Sequence, residues 1–332
     1  MPEISCVVCH HTGTLLFKAL ESIFKSKDVT YEVIVITSDE ELAMKGIKNC
    51  LVIHSTALPA EKRNMGARVA KGRYLAFFDD DVEIDELCLY HLLQGIKSGA
   101  GMSYGRLWNM EHRNRFDEAG SFLTWTGFLW SRAGQNEIDR GQYSADQYVL
   151  AGKSASCMVR ADIFKRVGGF DEDFGILGEE TDLAWRMWLS GYPVLYTPNA
   201  TGYHAFNTKF KPVKKFYTSS RIHLNGCRNY ITMLIKNLGG FRLCLILPIH
   251  LMIWTFAGLA MIITLRIQPG INIFWGLGES IKNLPRTWKK RKVIQATRII
   301  SDRRLFRSIY RNPGIGYYLQ RFCRYIKIGL HG

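Results

Sequence analysis

Apolar positions follow two alternating rhythms through the first eighty residues. Ile4–Cys9 (ISCVVC) and Glu32–Ile36 (EVIVI) are short β-branched runs. Near-continuous apolar runs of that length predict strands buried on both faces of a parallel sheet. Between them, LLFKALESIFKS places Leu16, Leu20, Ile23 and Phe24 on one helical face. Strand, helix, strand makes a βαβ unit. PAEKRNMGARVAKG predicts a second helix, with Met65 and Val69 turned inward and Gly72 closing it. The strand Tyr74–Phe78 (YLAFF) follows and runs straight into Asp79, Asp80 and Asp81. The pattern predicts an α/β fold with these aspartates at the carboxyl end of a strand, where open α/β sheets bind ligands.

Three adjacent carboxylates repel one another, so the fold must make them tolerable. One solution is a hard divalent cation, Mg²⁺ or Mn²⁺, which takes oxygen ligands and bridges phosphates. The other is that the acids cap the next helix or face solvent, since acids at helix N-termini are common. No G-x-x-x-x-G-K-[ST] loop is present and no G-x-G-x-x-G follows the first strand, which counts against a P-loop and a nicotinamide Rossmann site. A second acidic cluster lies in GGFDEDFGILGEETDLAWRMWLSGYPVLYTPNATGYH, Gly168 to His204. Glu179, Glu180 and Asp182 open a helix that runs through Leu183, Trp185, Arg186, Trp188 and Leu189 to Gly191. They read either as a first-turn cluster favoured by the helix dipole or as a seat for a general base. Trp185 reads as a core residue or as an acceptor-side ring, and His204 as structural or as a ligand.

The net charge of +15 hides a split. Residues 1–204 carry −6, whereas residues 205–332 carry +21, with only Glu279 and Asp302 as acids. A strongly basic C-terminal part suits nucleic acid or an anionic membrane surface. The run Leu243–Leu265, 23 residues without an acid, Lys or Arg, favours the membrane. Pro248 and His250 interrupt it, and basic residues flank it on both sides: Lys209, Lys211, Lys214, Lys215, Arg221, Arg228, Lys236 and Arg242 before, Lys282, Arg286 and Lys289–Lys292 after. A single span would carry one basic flank outward, against the positive-inside rule. A re-entrant hairpin, or helices lying in the interface, keeps both at an anionic cytoplasmic leaflet. A buried helix of a C-terminal domain remains the alternative. No RNP pattern or zinc-finger spacing is present, so no nucleic-acid partner is expected. Cys6-Val7-Val8-Cys9-His10 matches a haem-attachment pattern, but on a β-branched strand it reads as two strand cysteines. Scattered cysteines in apolar runs (Cys6, Cys88, Cys157, Cys244) fit reduced, buried thiols. The N-terminus reads as a first strand, with no leader peptide, and predicts a cytosolic start.

The stretches KRNMGARVAKGRYLAFFDDDV and GGFDEDFGILGEETDLAWRMWLSGYPVLYTPNATGYH together resemble the family-2 inverting glycosyltransferases of the GT-A fold. DEAGSFLTWTG, AGKSASCMVRADIFKRVGG, RNYITMLIKNL and KKRKVIQATRIISDRRLF resemble its rhamnosyltransferase-like branch in bacterial envelope polysaccharide assembly, lipopolysaccharide included. The resemblance implies a Rossmann-like mixed sheet flanked by helices over residues 1–210. Residues 211–332 then form a basic, membrane-associated helical region at the cytoplasmic face of the inner membrane. It implies a nucleotide-diphospho-sugar donor, a polyprenyl-linked or saccharide acceptor, and a divalent cation. Asp79, Asp81 and His204 fall at the family's metal positions. His11, Asp39, Arg63, Asp79 and Asp80 fall around the donor, and Glu180 at the catalytic base. The family's usual base is Asp, so Glu179 and Asp182 stay open for that role. Thr37 and the pair His10-His11 also depart from the pattern at the base pocket, which leaves the donor's base open. No Gln-x-x-Arg-Trp motif is present, and one sugar per encounter is expected. A nucleotidyltransferase using the same aspartates and an inactive membrane scaffold are the alternatives.

Overall fold

The computed structural model describes residues 1–11, 13–134, 136–205 and 221–328. Its chain divides into two compact units, Met1–Ser121 with Ser131–Phe210, and Phe122–Trp130 with Lys211–Gly332. A single cut at 210 was expected. The main boundary between the units falls after residue 210, and the nine-residue segment Phe122–Trp130 groups with the C-terminal residues. The flanking residues Lys209, Lys211, Lys214 and Lys215 lie outside the described residues.

The first unit is built on one mixed sheet. Its early strands are β1 (Ile4–His10), β2 (Tyr31–Thr37), β3 (Cys50–His54), β4 (Tyr74–Asp79) and β5 (Val82–Ile84). Its later strands are β6 (Met102–Asn109), β7 (Phe116–Glu118), β10 (Gln147–Tyr148), β11 (Ser156–Arg160) and β12 (Val194–His204). Two further short strands, β8 (Ser121–Leu123) and β9 (Leu129–Ser131), form a separate two-stranded sheet. The main order is β10-β12-β6-β11-β4-β1-β2-β3, with β5 on β12 and β7 on β6. β4, β1, β2 and β3 run parallel, as do β6 and β12, and β11 lies antiparallel between β4 and β6. β1, β2, β4, β6 and β12 therefore end at the same edge, at His10, Thr37, Asp79, Asn109 and His204.

Helices α1 (Leu15–Phe24), α2 (Glu40–Lys45), α3 (Pro59–Val69), α4 (Cys88–Lys97), α5 (Ala161–Arg166) and α6 (Glu179–Leu189) connect the strands. The apolar periodicity finds its core: Leu16, Leu20 and Ile23 of α1 pack with Cys6, Val8, Val35 and Phe78. Two expectations fail at helix ends. Phe24 and Val69 are the last residues of α1 and α3 and lie exposed. The buried face of α3 is Ala60, Lys62, Arg63 and Gly66, so charge rather than hydrocarbon points inward. Cys6 and Cys9 stand three residues apart on a strand, on opposite faces. Both are free thiols, as are Cys88 and Cys157. Cys244 is exposed, contrary to the expectation of burial.

Beyond the Phe122–Trp130 segment, which carries most of β8 and β9, the second unit holds the helices α7 (Ile222–Asn237), α8 (Gly240–Ile263), α9 (Ile267–Lys282), α10 (Leu284–Ala296), α11 (Asp302–Ile309) and α12 (Ile315–Ile328). α8 carries the apolar run and is long and apolar enough to cross a membrane. It is two-sided. Leu243, Ile246, His250, Trp254, Ala257 and Met261 are buried within the unit. Phe241, Leu245, Met252, Phe256, Leu259 and Ile263 are exposed. At 100° per residue the exposed set falls within about 60° of arc, a narrow apolar stripe opposite the packed face. His250 is satisfied inside the unit: Nδ1 lies 2.8 Å from the Thr126 carbonyl, and Nε2 accepts from Trp254 Nε1 at 2.9 Å. Thr126 belongs to the Phe122–Trp130 segment, whose tip turns at Gly127 with φ +79°. A Cβ there would stand 2.8 Å from Leu234 Cδ1, so the tip needs glycine for conformation and for clearance.

Candidate active site

The site assembles at the common edge of the sheet because the register of β5 and β12 brings two distant segments together. Asp80 and Asp81 form the turn between β4 and β5. β5 pairs antiparallel with β12, with Val82 opposite His204. The Ala205 amide donates to the Asp81 carbonyl at 3.0 Å, which continues that register one step further. His204 Nε2 consequently lies 3.4 Å from Asp81 Oδ1. One ligand atom each from Asp79, Asp81 and His204 lies within 4.8 Å of the others. Two carboxylates and one imidazole converging in this way can hold a divalent cation, and the oxygen-rich set suits a hard ion. Asp81 and His204 are buried, whereas the Asp79 carboxylate is about a third exposed at 31%.

Sequence reasoning assigned no role to Asp117, yet its Oδ2 lies 2.8 Å from His204 Nδ1. Lys153 Nζ donates to both Asp117 oxygens at 2.7 Å. Burial works against the imidazolium of His204, but Asp81 and Asp117 outweigh it and lift its pKa to about 9. Burial likewise opposes the Asp117 carboxylate, but Lys153 and His204 bring it down to about 2. Nothing in the motif DEAGS marks this aspartate, because its importance arises from strand pairing.

Arg63 connects the two acidic clusters. Its Nη2 donates to Asp79 Oδ1 at 2.8 Å and its Nη1 to Glu179 Oε1 at 2.9 Å. The guanidinium is almost fully buried and is bonded to the two carboxylates. Asn64, beside it, fixes α3 against the Gly168-Gly169 turn by exchanging hydrogen bonds with Phe170: Nδ2 to the carbonyl at 2.8 Å, and the Phe170 amide to Oδ1 at 2.9 Å.

α6 begins at Gly178, which adopts φ +86°, a conformation glycine accepts without strain. The three acids of its first turn separate. Asp182 is fully buried and pairs with Arg186 Nε at 2.8 Å, one helical turn on. That pairing within the helix makes it a structural acid and corrects the expectation that it competes as base. Glu179 is held by Arg63. Glu180 is half-buried, and its carboxyl is raised well above the usual carboxylate range by burial and by Glu179 beside it. A carboxyl so tuned is a candidate general base. Trp185 is completely buried. Its ring fills the core and offers no face to an acceptor, which overturns its acceptor-side assignment.

The remaining donor-side candidates surround the ends of β1 and β2. Asp80 turns away from the cation group and accepts from the His11 amide at 3.1 Å. His11 is exposed, with Nδ1 3.3 Å from Ser38 Oγ. Asp39 caps α2 by accepting from the Leu42 amide at 3.1 Å. Lys62, which the sequence did not single out, donates to the His10 carbonyl at 2.6 Å and to Ser38 Oγ at 2.5 Å. Burial lowers its pKa. Its position next to Arg63 was the available signal, but helical spacing alone does not reveal that both cations point inward.

The mixed sheet flanked by helices, with carboxylates at its strand ends, is the GT-A fold. A solved structure described as GalNAc-T7 with UDP, GalNAc and Mn²⁺ aligns with TM-score 0.57 at 14% identity. The alignment covers 85% of this chain and 57% of that one, so this chain spans little more than half the length of that relative. S. aureus TarS, residues 1–349, aligns with TM-score 0.49 at 17% identity over 88% of this chain and 86% of that one. Residues 5–143, from β1 to the segment before β10, match the model of Glycosyl transferase family 2. No curated protein matches the chain.

Proposed function

We propose that this protein is an inverting, non-processive glycosyltransferase acting at a membrane surface. It moves one sugar from a nucleotide-diphospho-sugar to a saccharide or polyprenyl-diphosphate-linked acceptor. The observation that carries this reading is the Arg63 bridge, which ties the Asp79–Asp81–His204 group to the α6 turn bearing Glu180. A group able to hold a diphosphate-bound cation and a carboxyl tuned as a base then share one sheet edge. Glu180 takes the proton of the acceptor hydroxyl as that oxygen attacks the anomeric carbon from the face opposite the leaving group. Asp79, Asp81 and His204 hold Mg²⁺ or Mn²⁺, which when bound neutralises the charge of the departing nucleoside diphosphate. Glu179 and Arg63 keep the α6 turn in register with the strand ends. The nucleotide lies toward His11, Asp39, Lys62 and Asp80. The UDP and GalNAc named for the structural relative support a UDP-sugar donor, and the rhamnosyltransferase resemblance supports dTDP-rhamnose.

The exposed stripe of α8 and the net charge of +21 over residues 205–332 support attachment to an anionic leaflet, on the cytoplasmic side of a bacterial inner membrane. Incubation with UDP-, GDP- and dTDP-sugars, reading released nucleoside diphosphate with and without EDTA, tests the class and names the base. Release of pyrophosphate from a nucleoside triphosphate would mark a nucleotidyltransferase. No turnover with any donor would favour the inactive scaffold. Flotation with phosphatidylglycerol vesicles tests attachment, and protein left at the bottom of the gradient in physiological salt counts against it.

A further inference from the structure

We infer that Asp117 is a positioning residue of the cation site: it holds the His204 ring so that Nδ1 carries a proton toward Asp117 and Nε2 is presented to Asp79 and Asp81. The inference rests on the reading that Asp79, Asp81 and His204 hold the cation. It starts from the backbone. β7 pairs with β6 as Leu107 opposite Glu118 and Trp108 opposite Phe116. One step along β6 therefore meets two steps along β7, and Asp117 is the extra residue of a β-bulge. Bulges re-aim the side chain they carry and recur beside functional sites. On the other edge of β6, Asn109 pairs with His204. The bulge thus turns a carboxylate toward a histidine fixed at the end of β12, and the two meet at 2.8 Å.

The chemistry fits that geometry. An imidazole offers a metal one nitrogen, and the hydrogen bond made by the other nitrogen decides which. A carboxylate on that second nitrogen fixes the tautomer and strengthens the ligand. Burying a carboxylate is costly unless it is paired and hydrogen-bonded. Here Lys153 donates to both Asp117 oxygens while Oδ2 keeps its 2.8 Å contact with His204 Nδ1, so the carboxylate is held in place without being withdrawn from the ring. A plain Asp117–Lys153 ion pair would stabilise the fold without needing the histidine. The proposal therefore stands on readouts at His204 and at the cation.

Free Mn²⁺ in titrations of the full-length protein, followed by electron paramagnetic resonance, gives the affinity. The parent, Asp81→Asn, Asp117→Asn and Asp117→Ala are compared, with the melting temperature of each recorded free of metal. Loss of an outer partner of a ligating histidine typically weakens metal binding about 10–100-fold. That loss is expected in both Asp117 variants. Folded Asp117 variants that bind Mn²⁺ within about twofold of the parent overturn the proposal. If the parent and Asp81→Asn bind equally weakly, the cation site itself is wrong and the positioning role falls with it. A measurement on the unaltered protein decides the matter even if the variants do not fold. With ¹¹³Cd²⁺ as the probe and ¹⁵N-labelled histidine, the metal–nitrogen coupling of His204 is expected at Nε2, with the proton on Nδ1. Coupling at Nδ1, or no coupling to His204, overturns the inference.

Discussion

The two acidic clusters share a composition and are sorted by different means. Asp79–Asp81 spans the turn between two strands, and Glu179–Asp182 the first turn of a helix. At the strand end, alternation and the tight turn send neighbours apart, so Asp80 binds the loop after β1 while Asp79 and Asp81 stay near His204. At the helix start, residues three apart on a common cylinder meet different surroundings. Asp182 is captured by Arg186 four residues on, and Glu179 by an arginine from another helix. Each cluster thus spends some of its acids on structure and leaves the remainder for chemistry. Local backbone geometry decides which acid is which, and Arg63 makes the two decisions depend on each other.

The largest test of this sorting is Glu180→Gln. A positioned general base contributes about 10²–10⁴-fold, and that loss of transfer is expected with Mn²⁺ binding intact. Asp182→Asn should instead lower the melting temperature while the folded fraction keeps its activity; a collapse of activity at unchanged stability would exchange the two roles. Arg63→Ala breaks the link. It leaves Glu179 buried without its partner, and removing one member of a buried pair costs about 3–5 kcal/mol. Urea unfolding at neutral pH measures it, and a change below 1 kcal/mol, taken as about the worth of one exposed pair, would show that the clusters are independent. The pH profile of kcat/KM should have a rising limb, because Glu180 must lose its proton to act and its carboxyl is held high. Glu179→Gln removes the neighbouring negative charge, so the limb should move to lower pH; an unmoved limb would detach Glu179 from Glu180. Asp80→Asn should matter least. The amide oxygen still accepts from His11, and about 1 kcal/mol or less of stability is expected to go, with Mn²⁺ affinity closer to the parent's than that of Asp81→Asn.

Much of the parallel half of the sheet was legible because strands buried on both faces carry continuous apolar runs. β1, β2 and β4 extend the expected runs by at most one residue at either end. The site was legible as a set of acids and one histidine, since their residue types and a family likeness mark them. Its partition was not. Three-residue strands such as β5 and β7 are too short to show a period, yet β5 brings His204 to Asp81 and the bulge in β7 aims Asp117. The acceptor-side reading of Trp185 failed for a related reason: an aromatic in a helix beside a site has no sequence mark for the direction its face takes. In the second unit the apolar run was visible, but its interruptions misled. His250 reads as a polar intrusion into a lipid-facing helix, whereas it is tied to Thr126 and Trp254 on the packed face.

The segment Phe122–Trp130 also sets a schedule for synthesis. Its tip is held by α8, through a hydrogen bond between residues 124 positions apart, and Phe128 stacks 4.2 Å from the His250 ring. A ribosome adding 5–20 residues per second leaves about 6–25 s between the appearance of the two partners. For that interval Phe128 waits without the helix that covers it. The nascent chain would then be most open to chaperones, and to aggregation, midway through translation, at a point set by nine residues that fold with a part of the protein not yet made.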